Sequence, residues 1–248
     1  MSTKNLHIWN QVEKTDTRYT KDAKVAGQNI TSLNGTAMIM KATEVFGPAG
    51  IGFGWNVIEE RFDKGAEIFS GEGDKRVSLG FELNHTAKIK FWFVLDGQRG
   101  EIEQYGCTPY LYKSKYGPIT DGEAPKKSLT DAIKKALSML GFSADVFLGL
   151  FDDDEYVQQR REETAIEVAE DKVAAAEQHK RDRLEWLKDA LETMARAVTL
   201  HELKLLNTKY VRSATARNET AYLRRLTEAY ETRQAELKAK PADQGAAA

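Results

Sequence analysis

The chain is poor in the residues that build disulfides, metal sites and membrane spans. Among its 248 residues, Cys107 is the only cysteine, so an intrachain disulfide is impossible and a cysteine-ligated zinc site is not expected. The four histidines lack metal-ligand spacing. No run of about 18 apolar residues occurs, and the N-terminus lacks the basic flank and apolar stretch of a secretory signal. We therefore expect a soluble cytoplasmic protein without metal or other cofactor.

A strong net charge is also missing. The chain has 36 Lys and Arg against 38 Asp and Glu, a formal net charge of −2. This does not match a uniformly basic DNA-binding domain. A local basic groove is still compatible with it, because binding depends on the electrostatic field at the site rather than on the total charge.

Motifs for nucleotide chemistry are missing as well. There is no G-x-x-x-x-G-K-[ST] phosphate loop, and the glycine-rich residues 47–54 follow a helix and enter a strand, which reverses the nucleotide-binding order. The acidic run at residues 152–155 could suggest a two-metal nuclease. Consecutive side chains point in different directions, so we interpret the run as the start of a helix, where negative charge is favourable. The sequence predicts a binding protein rather than an enzyme.

The hydrophobic patterns predict a first domain over residues 1–157. Residues 36–47 have helical spacing, and strand-like alternation begins at Trp55 and again at His85. An Asp96-Gly97 hairpin signal then leads into a third strand. In the second strand, one face is predicted to carry Ile89, Phe91, Phe93 and Leu95, and the other Lys88, Lys90, Trp92 and Val94. This order predicts an α+β fold in which a curved antiparallel sheet packs on helices.

A charged, all-helical region is predicted over residues 158–240, with a disordered tail at 241–248. No proline or glycine occurs between residues 155 and 240. Helical spacing relates Leu184, Leu187, Leu191 and Met194, then Leu203, Leu206, Tyr210, Tyr222, Leu226 and Tyr230. We expect several bundled or coiled helices, with Trp186 in their core. They would serve self-association or the docking of a partner protein.

One predicted helix carries the functional interpretation. It reads SLTDAIKKALSMLGF, and Ser128 with Asp131 forms an S-x-x-D capping pattern. Gly141 favours a C-terminal stop. Its apolar residues fall on one side, and Lys134 and Lys135 fall on the other. By itself, such a lysine pair is typical of a solvated helix face.

With its flanking segments, this helix resembles the core of the Rad fifty-two family of single-strand DNA annealing proteins and its phage relatives. An FSADVFLG stretch and an acidic-aromatic D-x-x-Y-V at Asp153–Val157 follow the helix. Upstream lies K-A-T-E-V-F-G-P-A-G-I-G-F-G-W at Lys41–Trp55, in the order and at the distance that fit the family. The resemblance covers roughly residues 25–157 and leaves residues 158–248 outside it.

The resemblance implies ATP-independent annealing by an oligomeric ring or helix, with single-stranded DNA in a basic groove. Lys134 and Lys135 match the family's groove-lining basic pair. One turn later the eukaryotic family has another basic residue, where this chain has Ser138. The implied partners are single-stranded DNA, the annealed duplex and further copies of the chain. The C-terminal helices could also dock a host single-strand binding protein or a companion exonuclease.

Further candidates for DNA binding lie near this helix in sequence. Sequence-blind strand binders combine phosphate contacts with aromatic stacking platforms. The chain interleaves lysines and aromatic residues in two segments, which supply Lys88, Lys90, Trp92, Tyr110, Tyr112, Lys113, Lys115, Lys126 and Lys127. Ordinary surface lysines, half-buried tyrosines and strand lysines that prevent edge pairing explain the same residues without DNA.

Two other functions stay open at this point. The chain could be a scaffold protein whose helical half assembles and whose globular half binds protein. It could also be a magnesium-dependent nuclease built on residues 152–155.

Overall fold

The computed structural model describes residues 6–25, 27–71 and 75–239. The chain separates into two compact units, of which the first ends at Gly149 and the second begins at Leu150 and includes Asp16–Arg18. Residue 157, where the sequence predicted the boundary, lies inside a helix of the second unit. The predicted disordered tail at residues 241–248 lies outside the described residues.

The first unit has the predicted α+β fold with a curved antiparallel sheet. Its helices and strands are α1 (His7–Val12), β1 (Thr20–Val25), β2 (Gln28–Leu33), α2 (Gly35–Phe46), β3 (Phe53–Ser70), β4 (Val77–Leu95), β5 (Gln98–Ser114), β6 (Gly117–Thr120), α3 (Ala124–Ser138) and α4 (Ala144–Phe147). The main sheet has the order β3-β4-β5-β6, and β1 and β2 form a separate two-stranded hairpin. All pairings are antiparallel.

The predicted hairpin turn between β4 and β5 is confirmed. Asp96 and Gly97 have φ angles of 50° and 75°, and Leu95 pairs with Gln98. Two successive residues with positive φ match the twist of antiparallel strands, which is why Asp-Gly favours this turn. The strands in the structure extend beyond the segments whose alternating pattern predicted them. β3, β4 and β5 have 18, 19 and 17 residues.

The two faces of the sheet differ as the alternation predicted. One face, here called the inner face, carries the buried side chains of Ile89 and Phe91 and is covered by α2 and α3. The ring of Phe46 on α2 lies 5.2 Å from that of Phe93 and 5.8 Å from that of Phe142. The opposite face, here called the open face, carries Lys88, Lys90 and Trp92.

The predicted helix at residues 36–47 corresponds to α2. Asn34 caps it, because its side-chain oxygen accepts hydrogen bonds from the N–H groups of Thr36 (2.9 Å) and Ala37 (3.3 Å). The helix ends at Gly47, whose φ of 90° suits glycine. This cap fixes the start of α2, near which the aliphatic stem of Lys134 lies.

The second unit is helical, as predicted. It contains α5 (Asp154–Val168), α6 (Lys172–Arg196), α7 (Leu200–Ala216) and α8 (Thr220–Ala239). Its core includes Leu187, Met194, Leu203 and Leu226, and Trp186 packs edge-on against Tyr210 with ring centroids 5.7 Å apart. One expectation was wrong, because the predicted core residue Leu184 is 46% exposed while its neighbour Arg183 is buried. The guanidinium of Arg183 stacks on the Trp186 ring and pairs with Glu219, which allows it to turn inward.

The acidic run at residues 152–155 marks the start of α5. The carboxylate of Asp153 accepts the N–H of Glu155 at 2.9 Å and caps the helix. A hydrogen bond from Arg212 holds the pKa of Asp153 below its usual range. Glu155 pairs with Arg217 at 3.0 Å. These carboxylates are thus engaged by arginines and by the helix terminus.

Candidate nucleic-acid interface

Helix α3 starts earlier than its sequence pattern predicted. It begins at Ala124, with Pro125 in its first turn, where proline is well tolerated. The prediction that Ser128 caps the helix was wrong. Ser128 lies inside α3, is fully buried, and donates a 2.9 Å hydrogen bond to the carbonyl oxygen of His85 on β4. Ser128 therefore attaches α3 to the inner face of the sheet.

The close approach of α3 to the sheet depends on a glycine in β5. A methyl group added at Gly106 would overlap the carbonyl oxygen of Ser128 and lie 2.5 Å from the amide nitrogen of Ala132. The buried face of α3 includes Ile133 and Leu137, as predicted. This contact fixes the direction of the opposite, lysine-bearing side of the helix.

The two lysines of the predicted pair differ in their surroundings. Lys135 forms an ion pair with Asp131 at 2.9 Å, one turn earlier on α3. Lys134 is half-buried and forms no ion pair within the described part of the chain. Its aliphatic stem approaches the first residue of α2, since a Cβ added at Gly35 would lie 4.0 Å from the Cδ of Lys134. Of the pair, Lys134 is the one whose charge is not neutralised by a neighbouring carboxylate.

Lys126 and Lys127 lie in the first turns of α3 and are both neutralised. Lys126 pairs with Glu123 at 2.9 Å, and Lys127 pairs with Asp121 at 2.5 Å. The hydrogen bond between Lys127 and Asp121 raises the pKa of the lysine and lowers that of the aspartate. Sequence alone showed the acidic residues nearby but not that they would point at these ammonium groups.

The candidates at the end of the β5–β6 hairpin are only partly exposed. The Tyr110 ring packs edge-on against Phe62 at 4.8 Å, so it contributes to the aromatic packing of the sheet. Tyr112 is half-buried. Lys113 donates to the carbonyl oxygen of Phe69 at 2.9 Å. The ammonium of Lys115 lies 4.8 Å above the ring of Tyr116, which is 85% exposed. Lys113 and Lys115 are thus exposed, whereas Tyr110 and Tyr112 are half-buried.

The open face of the sheet carries as many acidic as basic side chains around the predicted lysine strip. Four basic residues, Arg61, Lys88, Lys90 and Arg99, alternate with four acidic residues, Glu59, Asp63, Glu101 and Glu103. We call this set the open-face charge ladder. It is an ion-pair network without net charge, and not a basic strip.

The pairs within the open-face charge ladder have the expected effect on protonation. Lys88 lies 2.6 Å from Glu103, and their hydrogen bond raises the pKa of Lys88 and lowers that of Glu103. A hydrogen bond from Thr86, followed by one from Arg61, lowers the pKa of Asp63. Lys88, Glu103 and Asp63 are therefore charged at neutral pH. A phosphate that reached Lys88 would have to compete with a carboxylate already bound there.

Aromatic rings accompany these cations on the open face. The guanidinium of Arg99 lies 4.5 Å from the Trp92 ring, which itself packs closely over Gly54. Tyr105 is exposed and lies between Arg61 at 5.7 Å and Lys88 at 5.3 Å. Arg61, Arg99 and Tyr105 were not among the predicted site residues. Their sequence signal is the strand alternation, but the register between strands is needed to bring them together.

The structure does not join all the predicted residues into one groove. Lys88, Lys90 and Trp92 lie on the open face, whereas α3 covers the inner face. The candidates on α3 and those on the open face are thus separated by the thickness of the sheet. A strand of DNA following α3 would not reach the open face of the same protomer.

The position of the boundary changes the charge balance of the first unit. Residues 1–149 contain 19 basic and 18 acidic residues, a net charge of +1, and residues 150–248 contain 17 and 20, a net charge of −3. With a boundary at residue 157, the first unit would also contain the four acidic residues 152–155, and its net charge would be −3 instead of +1. The first unit is close to neutral, so its affinity for an anion depends on where its unpaired cations lie.

In residues 6–25, 27–71 and 75–239, no three His, Cys, Asp or Glu side chains are arranged so that they could hold a metal ion. Every helix in the same ranges is too short or too polar to cross a bilayer.

Comparison with known proteins adds no family assignment. No family model matches the sequence, and no curated protein sequence matches it.

Proposed function

We propose that this protein binds single-stranded DNA along its phosphate backbone and anneals complementary strands without ATP. It would act in the cytoplasm as a homo-oligomer, a ring or a helix, and it would carry out no catalytic step. The resemblance of residues 25–157 to the Rad fifty-two core and the α+β fold of the first unit support this proposal.

The observation that carries the proposal is the position of Lys134. Its ammonium forms no ion pair within the described residues, and its stem lies against the start of α2. The N-terminus of a helix has a partial positive charge, which adds to the unpaired positive charge of Lys134 on this side of the first unit. A phosphate of the DNA backbone carries the negative charge that Lys134 attracts. Binding it requires no contact with a base.

One such contact in each protomer gives only weak binding. In an oligomer, the same contact recurs along a continuous strand, and each further contact becomes intramolecular. Tight binding by a nearly neutral unit is therefore possible. The affinity should fall steeply with salt, by a logarithmic slope of about −0.7 for each phosphate that is neutralised on single-stranded DNA.

The test compares two lysine variants on the same helix. Lys134→Ala removes the unpaired ammonium, whereas the matched control Lys126→Ala removes one that already pairs with Glu123 and is 78% exposed. Fluorescence anisotropy with a labelled oligonucleotide is measured at several salt concentrations. We expect Lys134→Ala to weaken binding and reduce the salt slope, and Lys126→Ala to change both much less. If the two variants weakened binding equally, the proposal that Lys134 makes the main phosphate contact would be wrong.

Annealing itself is tested with complementary strands, first in chelator and then in magnesium. Annealing in chelator supports the proposal, and cleavage that needs magnesium supports a nuclease. If neither occurs, a scaffold role is favoured.

The helical second unit is the proposed docking site for a host single-strand binding protein or a companion exonuclease. The full chain should then co-sediment with one of these proteins in the absence of DNA. If it co-sediments with neither, the docking role is wrong, while the annealing role stands.

A further inference from the structure

The β3 strand forms a long edge of the main sheet. It has 18 residues, and within the described residues it pairs with no strand other than β4. On the opposite side of the sheet, β6 has only four residues, includes Pro118 and pairs with just the last four residues of β5. Short edge strands, edge prolines, bulges and charged side chains discourage pairing between sheets, whereas a long free edge whose charges meet opposite charges can bind another strand through its unpaired N–H and C=O groups. The β3 edge is therefore long enough, and has enough unpaired backbone groups, to bind a further strand.

The central part of β3 is regularly paired with β4 and largely exposed. Pairing with β4 runs without interruption from Glu59 to Lys64, between irregularities on either side. Phe62 is 49% exposed although it lies in the middle of this stretch. We call Glu59–Lys64 the edge segment. The Phe62 ring packs edge-on against Tyr110, and its exposed part adds apolar area that a second strand at this edge would bury.

The sequence of the edge segment is self-complementary in charge. When two identical strands pair antiparallel about a two-fold axis, opposite residues share a face, so one residue must lie opposite its own copy. Phe62 is the only uncharged residue of the edge segment. With Phe62 on the axis, Arg61 lies opposite Asp63 of the second copy, and Glu60 lies opposite Lys64 of the second copy.

Every other register within the edge segment places like charges together. An axis at any of its other five residues brings a charged side chain opposite its own copy, and an axis at Arg61 also sets Glu59 against Asp63. Like charges directly opposite each other destabilise a pair of strands, and opposite charges stabilise it. The charge pattern thus selects a single register.

We propose that two copies of this chain associate by pairing β3 with β3, antiparallel, with Phe62 on the two-fold axis. The two main sheets then form one continuous sheet of eight strands. This contact closes on itself, so a larger assembly needs a second surface. It does not involve Lys134 or α3, so it is independent of the DNA-binding proposal.

Disulfide trapping tests the register directly. Phe62→Cys is placed in a Cys107→Ser background, so that the new thiol is the only one in the chain. Opposite residues of an antiparallel pair have Cα atoms about 4.5–5.5 Å apart, which a disulfide can span. The matched control is Ile58→Cys in the same background, since Ile58 is 45% exposed on the same strand. In the proposed register, the two Ile58 positions are separated by eight residues of strand, about 26 Å.

On mild oxidation, we expect the Phe62→Cys protein to form a disulfide dimer and the Ile58→Cys protein to stay largely monomeric in non-reducing electrophoresis. Equal cross-linking of the two variants would indicate random collision and overturn the proposal. A lack of cross-linking at residue 62 would overturn it too, because any other register or a head-to-tail pairing separates the two copies of Phe62.

A charge exchange provides a second measurement that retains the native Phe62. Glu60→Lys alone places two lysines opposite each other, and Lys64→Glu alone places two glutamates opposite each other. A mixture of the two variants restores opposite charges across the pair. Analytical ultracentrifugation should show weaker association for each variant than for the unmodified chain, and recovery in the mixture. A mixture that associates no better than either variant alone would contradict the proposed register.

Discussion

Replacing Gly106 with alanine should strongly destabilise the first unit. Gly106 lies in β5 directly beneath α3. An added methyl group would overlap the carbonyl oxygen of Ser128 and lie 2.5 Å from the amide nitrogen of Ala132. Both obstacles are backbone atoms of a helix, so no side-chain rotation relieves the overlap. The helix itself would have to move away from the sheet.

The expected cost follows from two opposing effects. Overpacking a close contact typically costs about 1–3 kcal/mol. Because the overlapping atoms belong to the helix backbone, we expect Gly106→Ala to lie at the upper end of this range, at about 3 kcal/mol. Alanine also restricts the unfolded chain, which returns roughly 0.4–1 kcal/mol. We therefore expect the free energy of unfolding of the first unit to fall by about 2–2.5 kcal/mol. The matched control is Gly122→Ala, because nothing lies within 4 Å of a Cβ built there.

Denaturant unfolding followed by tryptophan fluorescence measures the effect. Trp186 is the tryptophan of the second unit, so a Trp186→Phe background leaves Trp9, Trp55 and Trp92 to report on the first unit. Gly122→Ala should change the free energy of unfolding by less than about 1 kcal/mol. If Gly106→Ala and Gly122→Ala gave the same free energy of unfolding, the close packing of α3 on β5 would be refuted.

Three further predictions concern single side chains. Ser128→Ala leaves the carbonyl oxygen of His85 without its 2.9 Å donor and should lower the free energy of unfolding by about 1–2 kcal/mol in denaturant titrations. Asn34→Ala removes the cap of α2 and should cost about 1 kcal/mol in the same assay. Burial raises the pKa of Glu162, but hydrogen bonds led by Arg217 outweigh it and leave the pKa lowered. The stability from Glu162 is therefore present above its unfolded pKa of about 4.3 and lost as pH falls through the lower folded value. Glu162→Gln should cost about 2 kcal/mol at pH 7, and this difference should shrink at pH 3 in unfolding followed by Trp186 fluorescence.

The fold of the first unit could be predicted because its strongest signals are local. Alternation in β4 placed Ile89 and Phe91 on the buried face, and Asp96-Gly97 fixed the hairpin turn. The start of α3 could not be predicted in the same way. The S-x-x-D pattern at Ser128 is a valid local capping signal, but in the structure the hydroxyl bonds to a strand 43 residues away in sequence. A tertiary hydrogen bond thus replaced the local one.

The candidate site was harder to predict than the fold, because it depends on which carboxylate each lysine meets. Lys88 and Lys90 belong to one strand, while their partners Glu103 and Glu101 belong to the next. Only the register of β4 against β5 sets these pairs. Counting lysines in the sequence therefore overstated the positive charge available on the open face.

Ion pairing also explains how the first unit can be nearly neutral and still attract a phosphate. Lys126, Lys127 and Lys135 are each held by an acidic residue on or beside α3, which reduces their net attraction for an anion to that of a dipole. Lys134 differs because it pairs with no carboxylate within the described residues, and its aliphatic stem lies near Gly35 at the start of α2. An ammonium in that position gains more from an incoming phosphate than one that must first leave a carboxylate. Among the lysines of α3, the arrangement of partners, and not the number of lysines, is what distinguishes Lys134.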